Sequence, residues 1–231
     1  MKSKFKERIE GEISATNFFD ELPGEICGYN LKKILAEDDD KFFYFSYENE
    51  KIHRSFTAYF HEETSEYKVR VRIGLTEFCL TKFFTNKFEN FIEILKNEMQ
   101  TAIEKLSAPL DTNADLLIAD KKFSAWEYPK TLPKNIEGFE LFITPENPVK
   151  ITNGSYIILN YSNFEINSDL TIFYNVYTEN FSGESKINLV PNVSYLFDSE
   201  NLKDLESKLK NNLAAELRNL KFQLTVDLAD S

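Results

Sequence analysis

The sequence predicts an α+β fold built from two similar units, each an antiparallel sheet of four to five strands with one long amphipathic helix packed on it. Three observations support this prediction. A decapeptide occurs twice, as LPGEICGYNL at 22–31 and as LPKNIEGFEL at 132–141. In each half, runs with a period of two residues are followed by a stripe with a helical period. Consecutive strands followed by a helix indicate α+β rather than alternating βαβ units.

The similarity between the two halves extends well beyond the decapeptide. A shift of 114 residues aligns 42–106 with 156–220 without a gap, and twelve of these 65 pairs are identical. Tyr47/Tyr161 and Leu75/Leu189 are two of the identical pairs. A repeat of this length has the size of a domain and indicates a tandem duplication rather than a solenoid.

The duplication predicts the domain organisation. The first unit is expected at 1–107 and the second at 111–231, with a short packed linker around 107–122. Trp126, the only tryptophan, is expected to seal the joint between the units. A pseudo-twofold axis is expected to relate them.

The first predicted strand of each unit is apolar on both faces. It is KFFYFSY at 41–47 in the first unit and SYIILNY at 155–161 in the second. Strands of this kind are covered on both sides. We expect the helix on one face and a second sheet, or a dimer partner, on the other. The residues expected on that other face are Phe42, Tyr44, Ile157 and Leu159.

A half-solvated antiparallel hairpin follows. In IHRSFTAYFH at 52–61 and YKVRVRIGL at 67–75, apolar side chains alternate with polar ones, and a tight turn near 62–65 joins the strands. A fourth strand is predicted at 77–83, with 192–197 as its counterpart in the second unit.

The pattern then becomes helical. Apolar residues recur every three or four positions at 88–106, and leucines do so at 202–220. KFQLTVDL, at 221–228, alternates again and is predicted to add an edge strand. The predicted helix caps are Asn86 with Glu89, and Asp198 or Ser199.

Composition limits the classes of function. The chain has 27 basic and 38 acidic residues, a net charge of −11, so direct nucleic-acid binding is not expected. No run of 18 apolar residues and no signal-peptide pattern occurs, which predicts a cytoplasmic protein without a membrane span. Cys27 and Cys79 lack metal or redox spacing, and both are expected to be reduced and buried. A monomer or a homodimer is expected.

None of the common catalytic motifs is present, and no cofactor or metal is predicted. His53 and His61 are expected on the same face of one strand, too far apart to share a metal ion. Glu37–Asp40 is interpreted as a charged hairpin loop rather than a cation site. Cys27 is interpreted as a packed thiol rather than a nucleophile.

One candidate interaction face lies on the polar side of the hairpin. The tight turn is expected to place Tyr59 opposite Lys68, with Arg70 and Arg72 opposite Thr57 and Ser55. Such a ladder of cations could hold an anion or a partner's carboxylates. The alternative is an ordinary solvated face with salt links to nearby glutamates. The residues of this face are Tyr59, His61, Lys68, Arg70 and Arg72.

Because the identical pairs lie mostly at core and turn positions while polar positions diverge, the sequence favours a non-catalytic interaction protein. An inhibitor, an immunity-type protein or an adaptor that binds another protein fits this pattern. One alternative is a carrier of a small apolar ligand held between sheet and helix, lined by phenylalanines and Met99. The other is an acidic mimic of nucleic acid.

Overall fold

The computed structural model describes residues 4–107, 126–151 and 154–227, and the chain divides into two compact units, 1–109 and 110–231. Beyond Ser107, the predicted linker lies outside the described residues. Each unit has its own antiparallel sheet and its own long C-terminal helix, so the predicted α+β class is confirmed. None of the helices that the structure describes has an apolar stretch long enough to cross a membrane.

The first unit is a six-stranded meander with two helices. Neighbouring strands in the sheet are neighbours in the chain, and every pair is antiparallel. The elements are α1 (Lys4–Ser14), β1 (Glu25–Ile26), β2 (Tyr29–Asp38), β3 (Lys41–Asn49), β4 (Arg54–His61), β5 (Glu66–Ile73), β6 (Thr76–Cys79) and α2 (Phe88–Ser107).

The second unit is a seven-stranded antiparallel sheet with one described helix. Its strand order is β13-β12-β11-β10-β8-β7, and β9 pairs with β10 beside β8. The elements are β7 (Asn135–Ile136), β8 (Phe139–Ile143), β9 (Val149–Lys150), β10 (Ser155–Asn163), β11 (Ser168–Asn175), β12 (Asn180–Ile187), β13 (Val190–Val193) and α3 (Leu202–Asp227).

The predicted four to five strands per unit is wrong, because the decapeptide itself forms an additional hairpin. Cys27 and Gly28 have φ values of 50° and 80° and join β1 to β2 in a two-residue turn, as type I′ geometry requires. Glu137 and Gly138, at 56° and 95°, do the same between β7 and β8. Most of β2 is exposed and shows no clean alternation, so periodicity does not reveal it. The helix α1 was also not predicted.

A bulge reassigns the faces of the first predicted strand. The register of β3 on β4 shifts between Phe43 and Phe45, which lets Tyr44 and Phe45 both reach the helix side. Tyr44 contacts the rings of Phe42 and Phe91, the latter on α2, at centroid distances of 5.3 and 6.3 Å. The placement of Phe42 and Tyr44 on the face away from the helix is therefore wrong.

The second unit has the same bulge, between Ile157 and Leu159 of β10. Leu159 belongs to the core formed with the leucines of α3, so its predicted position away from the helix is also wrong. Ile157 pairs with Phe173 and lies outside that core cluster.

The helix α2 occupies the predicted range, but α3 continues to Asp227, so the predicted edge strand at 221–228 is wrong. The end of α2 has two polar partners from the sheet. The Tyr29 hydroxyl and the Arg54 guanidinium both donate to the Leu106 carbonyl. The equivalent residues in the second unit are Phe139, which has no hydroxyl, and Ser168, whose hydroxyl donates to the Ile166 carbonyl.

The cap of α3 also differs from the prediction. The side-chain oxygen of Asn201 accepts a hydrogen bond from the backbone N–H of Asp204 at 2.9 Å, the geometry of an N-cap. The predicted caps, Asp198 and Ser199, lie upstream of this position.

The two units share structural details that a sheet and a helix do not by themselves require. The Tyr47 hydroxyl donates to the Pro23 carbonyl at 2.6 Å, and the Tyr161 hydroxyl donates to the Pro133 carbonyl at the same distance. Further equivalent features are the ring pairs Phe60–Tyr67 and Tyr174–Phe181, the bulges after Phe43 and Ile157, and the left-handed residues His53 and Asn167.

Candidate functional site

The β4–β5 hairpin has the register that the sequence predicts. Tyr59 pairs with Lys68, and Thr57 and Ser55 pair with Arg70 and Arg72. The five residues of the candidate interaction face therefore lie on the same side of two adjacent strands, with His61 at the end next to the turn.

This face is not the open, solvated surface that was expected. Tyr59 is 5% exposed and Lys68 is 8% exposed. The Tyr59 ring lies 5.7 Å from the Phe43 ring, and its hydroxyl lies 3.3 Å from the Cys79 sulfur. Burial, followed by the contact with Cys79, raises the pKa of Tyr59. Tyr59 and Lys68 cannot contact a partner without rearrangement.

Lys68 and Arg70, two cations of the face, pair with glutamates of the first unit. Lys68 Nζ lies 2.9 Å from a carboxylate oxygen of Glu66, and an Arg70 nitrogen lies 3.0 Å from Glu77. The Arg70 guanidinium also lies over the Phe43 ring, 5.4 Å from its centroid. The hydrogen bond from Lys68, and a second from Thr64, lower the pKa of Glu66. The Lys68–Glu66 pair is one of the salt links that the solvated-face alternative expected, and the Arg70–Glu77 pair is not.

A polar cluster forms where two turns meet beside this face. His61 Nε2 lies 2.7 Å from Asp40 Oδ2, and His61 Nδ1 lies 2.9 Å from the Thr64 hydroxyl oxygen. Lys41 donates to the other oxygen of Asp40 at 2.6 Å, and this bond holds the pKa of Asp40 below its usual value. One ligand atom each from Asp40, His61 and Glu63 lies within 4.8 Å of the other two. We call these three residues the Asp-His-Glu cluster.

His53 takes no part in this cluster. It follows a short turn (Glu50–Ile52), has a left-handed φ of 48°, and precedes β4. The expectation that His53 and His61 share one strand face is therefore wrong, because the strand begins at Arg54.

The acidic segment and the two cysteines have separate surroundings. Glu37 and Asp38 end β2, and Asp40 lies in the turn before β3, as the hairpin-loop interpretation requires. Neither cysteine forms a disulfide. Cys27 is exposed and Cys79 partly exposed, so the prediction of buried thiols is wrong: the two-residue turn points Cys27 outward.

Trp126 belongs to the core of the second unit. It is buried with the α3 leucines, and its indole N–H donates to Glu206 at 2.9 Å. Hydrogen bonds from Lys210 and then Trp126 lower the pKa of Glu206. The predicted role at a joint between units stays a prediction.

In the first unit, aromatic rings fill the space between sheet and helix where a carried ligand was considered. Met99 is buried in α2. Successive ring centroids lie 5.4 to 6.4 Å apart among Phe19, Tyr44, Tyr67, Phe88 and Phe91. An apolar ligand would have to displace these rings.

Sequence reasoning missed an exposed apolar tip on the second unit. Asn188 and Leu189 join β12 to β13 with φ values of 48° and 66°. Leu189 is 55% exposed and Val190 is 65% exposed. Leu189 and Val190 are called the hairpin tip below. Leu189 is identical to Leu75 at the equivalent position, so a comparison of the two half-sequences does not indicate that Leu189 is exposed.

Comparison of the chain with protein-family models, with curated proteins and with solved structures gives no match. Its function therefore has to be inferred from its own residues.

Proposed function

We propose that the protein is a non-catalytic binding protein that engages another protein through the hairpin tip, Leu189 and Val190. The observation that carries the proposal is a pair of adjacent large apolar side chains that are both exposed, the first of them on a left-handed backbone. A left-handed conformation costs a non-glycine residue roughly 1–2 kcal/mol. Local departures of this kind are concentrated at functional sites.

At the equivalent turn, the first unit has neither a left-handed residue other than glycine nor an exposed leucine. Gly74 occupies the position of Asn188 and takes the positive φ without a side chain. Leu75, the counterpart of Leu189, is only 8% exposed. The fold therefore does not require an exposed leucine at this turn, and the second unit has departed from the arrangement in the first.

The proposed partner presents an apolar recess bordered by basic groups. The apolar tip would fill the recess, and the net charge of −11 would favour a basic border and speed association. An inhibitor, an immunity-type protein or an adaptor in the cytoplasm would have this role. Of the candidate face on the first unit, His61, Arg70 and Arg72 are the less buried members and stay a proposed second contact.

We also propose that the chain arose by tandem duplication, which explains how one copy could change while the other kept the fold. The matching bulges and the matching Tyr47 and Tyr161 hydrogen bonds support this proposal. The pseudo-twofold arrangement of the units stays a prediction.

Site-specific photo-crosslinking tests the proposed function. A photo-crosslinking amino acid replaces Leu189 in the full chain in its native cells. The matched control replaces Leu35, an exposed leucine of the first unit that also has a left-handed φ, of 47°. We expect one adduct of discrete mass from position 189, which Val190→Asp abolishes. The same adducts from positions 35 and 189 would contradict the proposal.

Native mass spectrometry of the same preparations separates the alternatives. A carrier would show the 26.9 kDa chain with a small molecule that is released on denaturation. A mimic of nucleic acid would show a DNA-binding protein whose capture does not depend on Val190, because carboxylates rather than the tip would make the contact.

A further inference from the structure

The Asp-His-Glu cluster is held in place by the backbone of two adjoining turns. Asp40 directly precedes β3, and the next residue, Lys41, pairs with His61 at the end of β4. The backbone N–H of Glu62 donates to the Asp40 carbonyl at 2.7 Å, which ties the β4–β5 turn to the β2–β3 turn. Asp40 and the turn that carries Glu63 are therefore held next to His61 by main-chain contacts.

Thr64 holds the imidazole ring of His61 from the side away from Asp40. Its hydroxyl oxygen lies 2.9 Å from His61 Nδ1 and accepts a hydrogen bond from Lys68 Nζ at 2.8 Å, since an ammonium can only donate. With Nδ1 next to Thr64, Nε2 faces Asp40.

The Nε2 atom lies 2.7 Å from Asp40 Oδ2. Both atoms are of types that bind zinc, and one ligand atom each of Asp40, His61 and Glu63 lies within 4.8 Å of the other two. A histidine that binds a metal through one nitrogen and donates from the other to an oxygen acceptor has the usual orientation of a metal ligand.

We propose that Asp40, His61 and Glu63 bind a divalent transition-metal ion, with Zn²⁺ the best fit. One imidazole and two carboxylates suit zinc better than Ca²⁺ or Mg²⁺, which prefer oxygen ligands alone. Tetrahedral zinc at ordinary bond lengths separates its ligand atoms by about 3.4 Å. The present separations, from 2.7 to at most 4.8 Å, bracket that value.

The surrounding charges permit a cation. Lys41 pairs with Oδ1 of Asp40 and leaves Oδ2 to the metal. Lys68 is engaged by Glu66 and Thr64. The side chain of Glu63 is exposed, with a carboxylate oxygen within 4.8 Å of the other two ligand atoms. Other carboxylates nearby add to the negative potential, namely Glu37 and Asp38 at the end of β2, and Asp39 and Glu62 in the turns.

The second unit has the equivalent of the β4–β5 turn, between β11 and β12, without the ligands. At the positions equivalent to Asp40, His61 and Glu63 it has Gly154, Asn175 and Tyr177. The position equivalent to His53 is Asn167, which has the same left-handed φ of 48°. Each histidine can therefore be replaced by the asparagine that the second unit carries at that position, which gives a matched pair of variants.

Calorimetric titration of the full-length protein with Zn²⁺ tests the proposal. We expect one saturable site in the wild type and in His53→Asn. His61→Asn and Glu63→Gln should each weaken binding at least about tenfold, and Thr64→Val should weaken it roughly 10–100-fold by freeing the ring. Since Thr64 and Glu63 are exposed, their variants test the site even if His61→Asn fails to fold.

NMR of the two imidazoles gives an independent readout, because the chain has only two histidines. We expect Zn²⁺ to shift the His61 ring resonances and to leave those of His53 in place, with no comparable effect of Ca²⁺. The absence of saturable binding in the wild type would overturn the proposal. So would equally tight binding by His61→Asn, which would assign the ion to the cysteines.

Discussion

At the scale of single residues, Tyr44 carries a buried hydroxyl that has no hydrogen-bond partner among the described residues. Its counterpart in the second unit is Ile158, so the bulge does not need a hydroxyl. An unsatisfied buried polar group costs about 1–3 kcal/mol. We expect Tyr44→Phe to raise the free energy of unfolding by about 1 kcal/mol, measured by urea denaturation.

Tyr47→Phe is the matched control for this prediction. Its hydroxyl donates to the Pro23 carbonyl at 2.6 Å, and losing that bond should lower the free energy of unfolding by about 1 kcal/mol. If both variants were destabilised equally, the Tyr44 hydroxyl would have a partner in solution.

Asp169 predicts an unusual dependence of stability on pH. Burial raises the pKa of Asp169 to about 6, although Lys186 and hydrogen bonds from Asn160 and Thr171 oppose the rise and Glu184 adds to it. One oxygen of the carboxylate has no hydrogen-bond partner among the described residues. The folded state therefore holds the proton more tightly than the unfolded state does.

The direction of the pH dependence of stability follows from this difference in proton affinity. The contribution of Asp169 to stability rises as pH falls from above 6 toward 4, and it amounts to about 3 kcal/mol over the whole window. Between pH 7.5 and pH 5 we expect a gain of roughly 1 kcal/mol from this group. Asp169→Asn should abolish that gain in urea denaturation at the two pH values, and Glu200→Gln, an exposed control, should keep it. If the Asp169→Asn variant gained as much stability between the two pH values as the wild type does, the assignment would be contradicted.

At the scale of elements, the start of α3 depends on one side chain. Asn201 accepts a hydrogen bond from the backbone N–H of Asp204. Removing an N-cap of this kind costs about 1 kcal/mol. We therefore expect Asn201→Ala to lower the free energy of unfolding of the second unit by that amount, measured by urea denaturation followed by tryptophan fluorescence.

The control for the cap is Asp198→Ala, which removes the carboxylate that the sequence favoured as a cap. We expect this variant to lie within about 0.5 kcal/mol of the wild type. A larger loss for Asp198→Ala than for Asn201→Ala would reverse the cap assignment.

At the scale of the whole molecule, the fluorescence of the single tryptophan reports the unfolding of the second unit alone. Trp126 lies in the core of the second unit with the α3 leucines. Leu209→Ala should cost about 2–5 kcal/mol and lower the urea midpoint seen by fluorescence. Phe91→Ala, in the first unit, should lower the circular-dichroism midpoint and leave the fluorescence midpoint in place. Equal shifts of both midpoints in both variants would show that the units unfold as one.

One part of the candidate interaction face could be predicted from the sequence, namely the register of the β4–β5 hairpin. A tight turn between two alternating strands leaves one pairing that keeps the apolar residues on one face. The burial of Tyr59 and Lys68 could not be predicted in this way. It depends on contacts with Phe43, Cys79 and Glu66, of which two come from other strands.

The sequence by itself determined the α+β class, the central hairpins and the range of α2, because apolar periodicity is a local property that packing preserves. Only the tertiary structure decided which face Tyr44 takes, where α3 ends and how Asp40 meets His61. A one-residue bulge reverses side-chain parity, and the end of a helix depends on donors such as Arg54 that lie about fifty residues away in the chain. Contacts between residues so far apart leave no periodic signal in the chain.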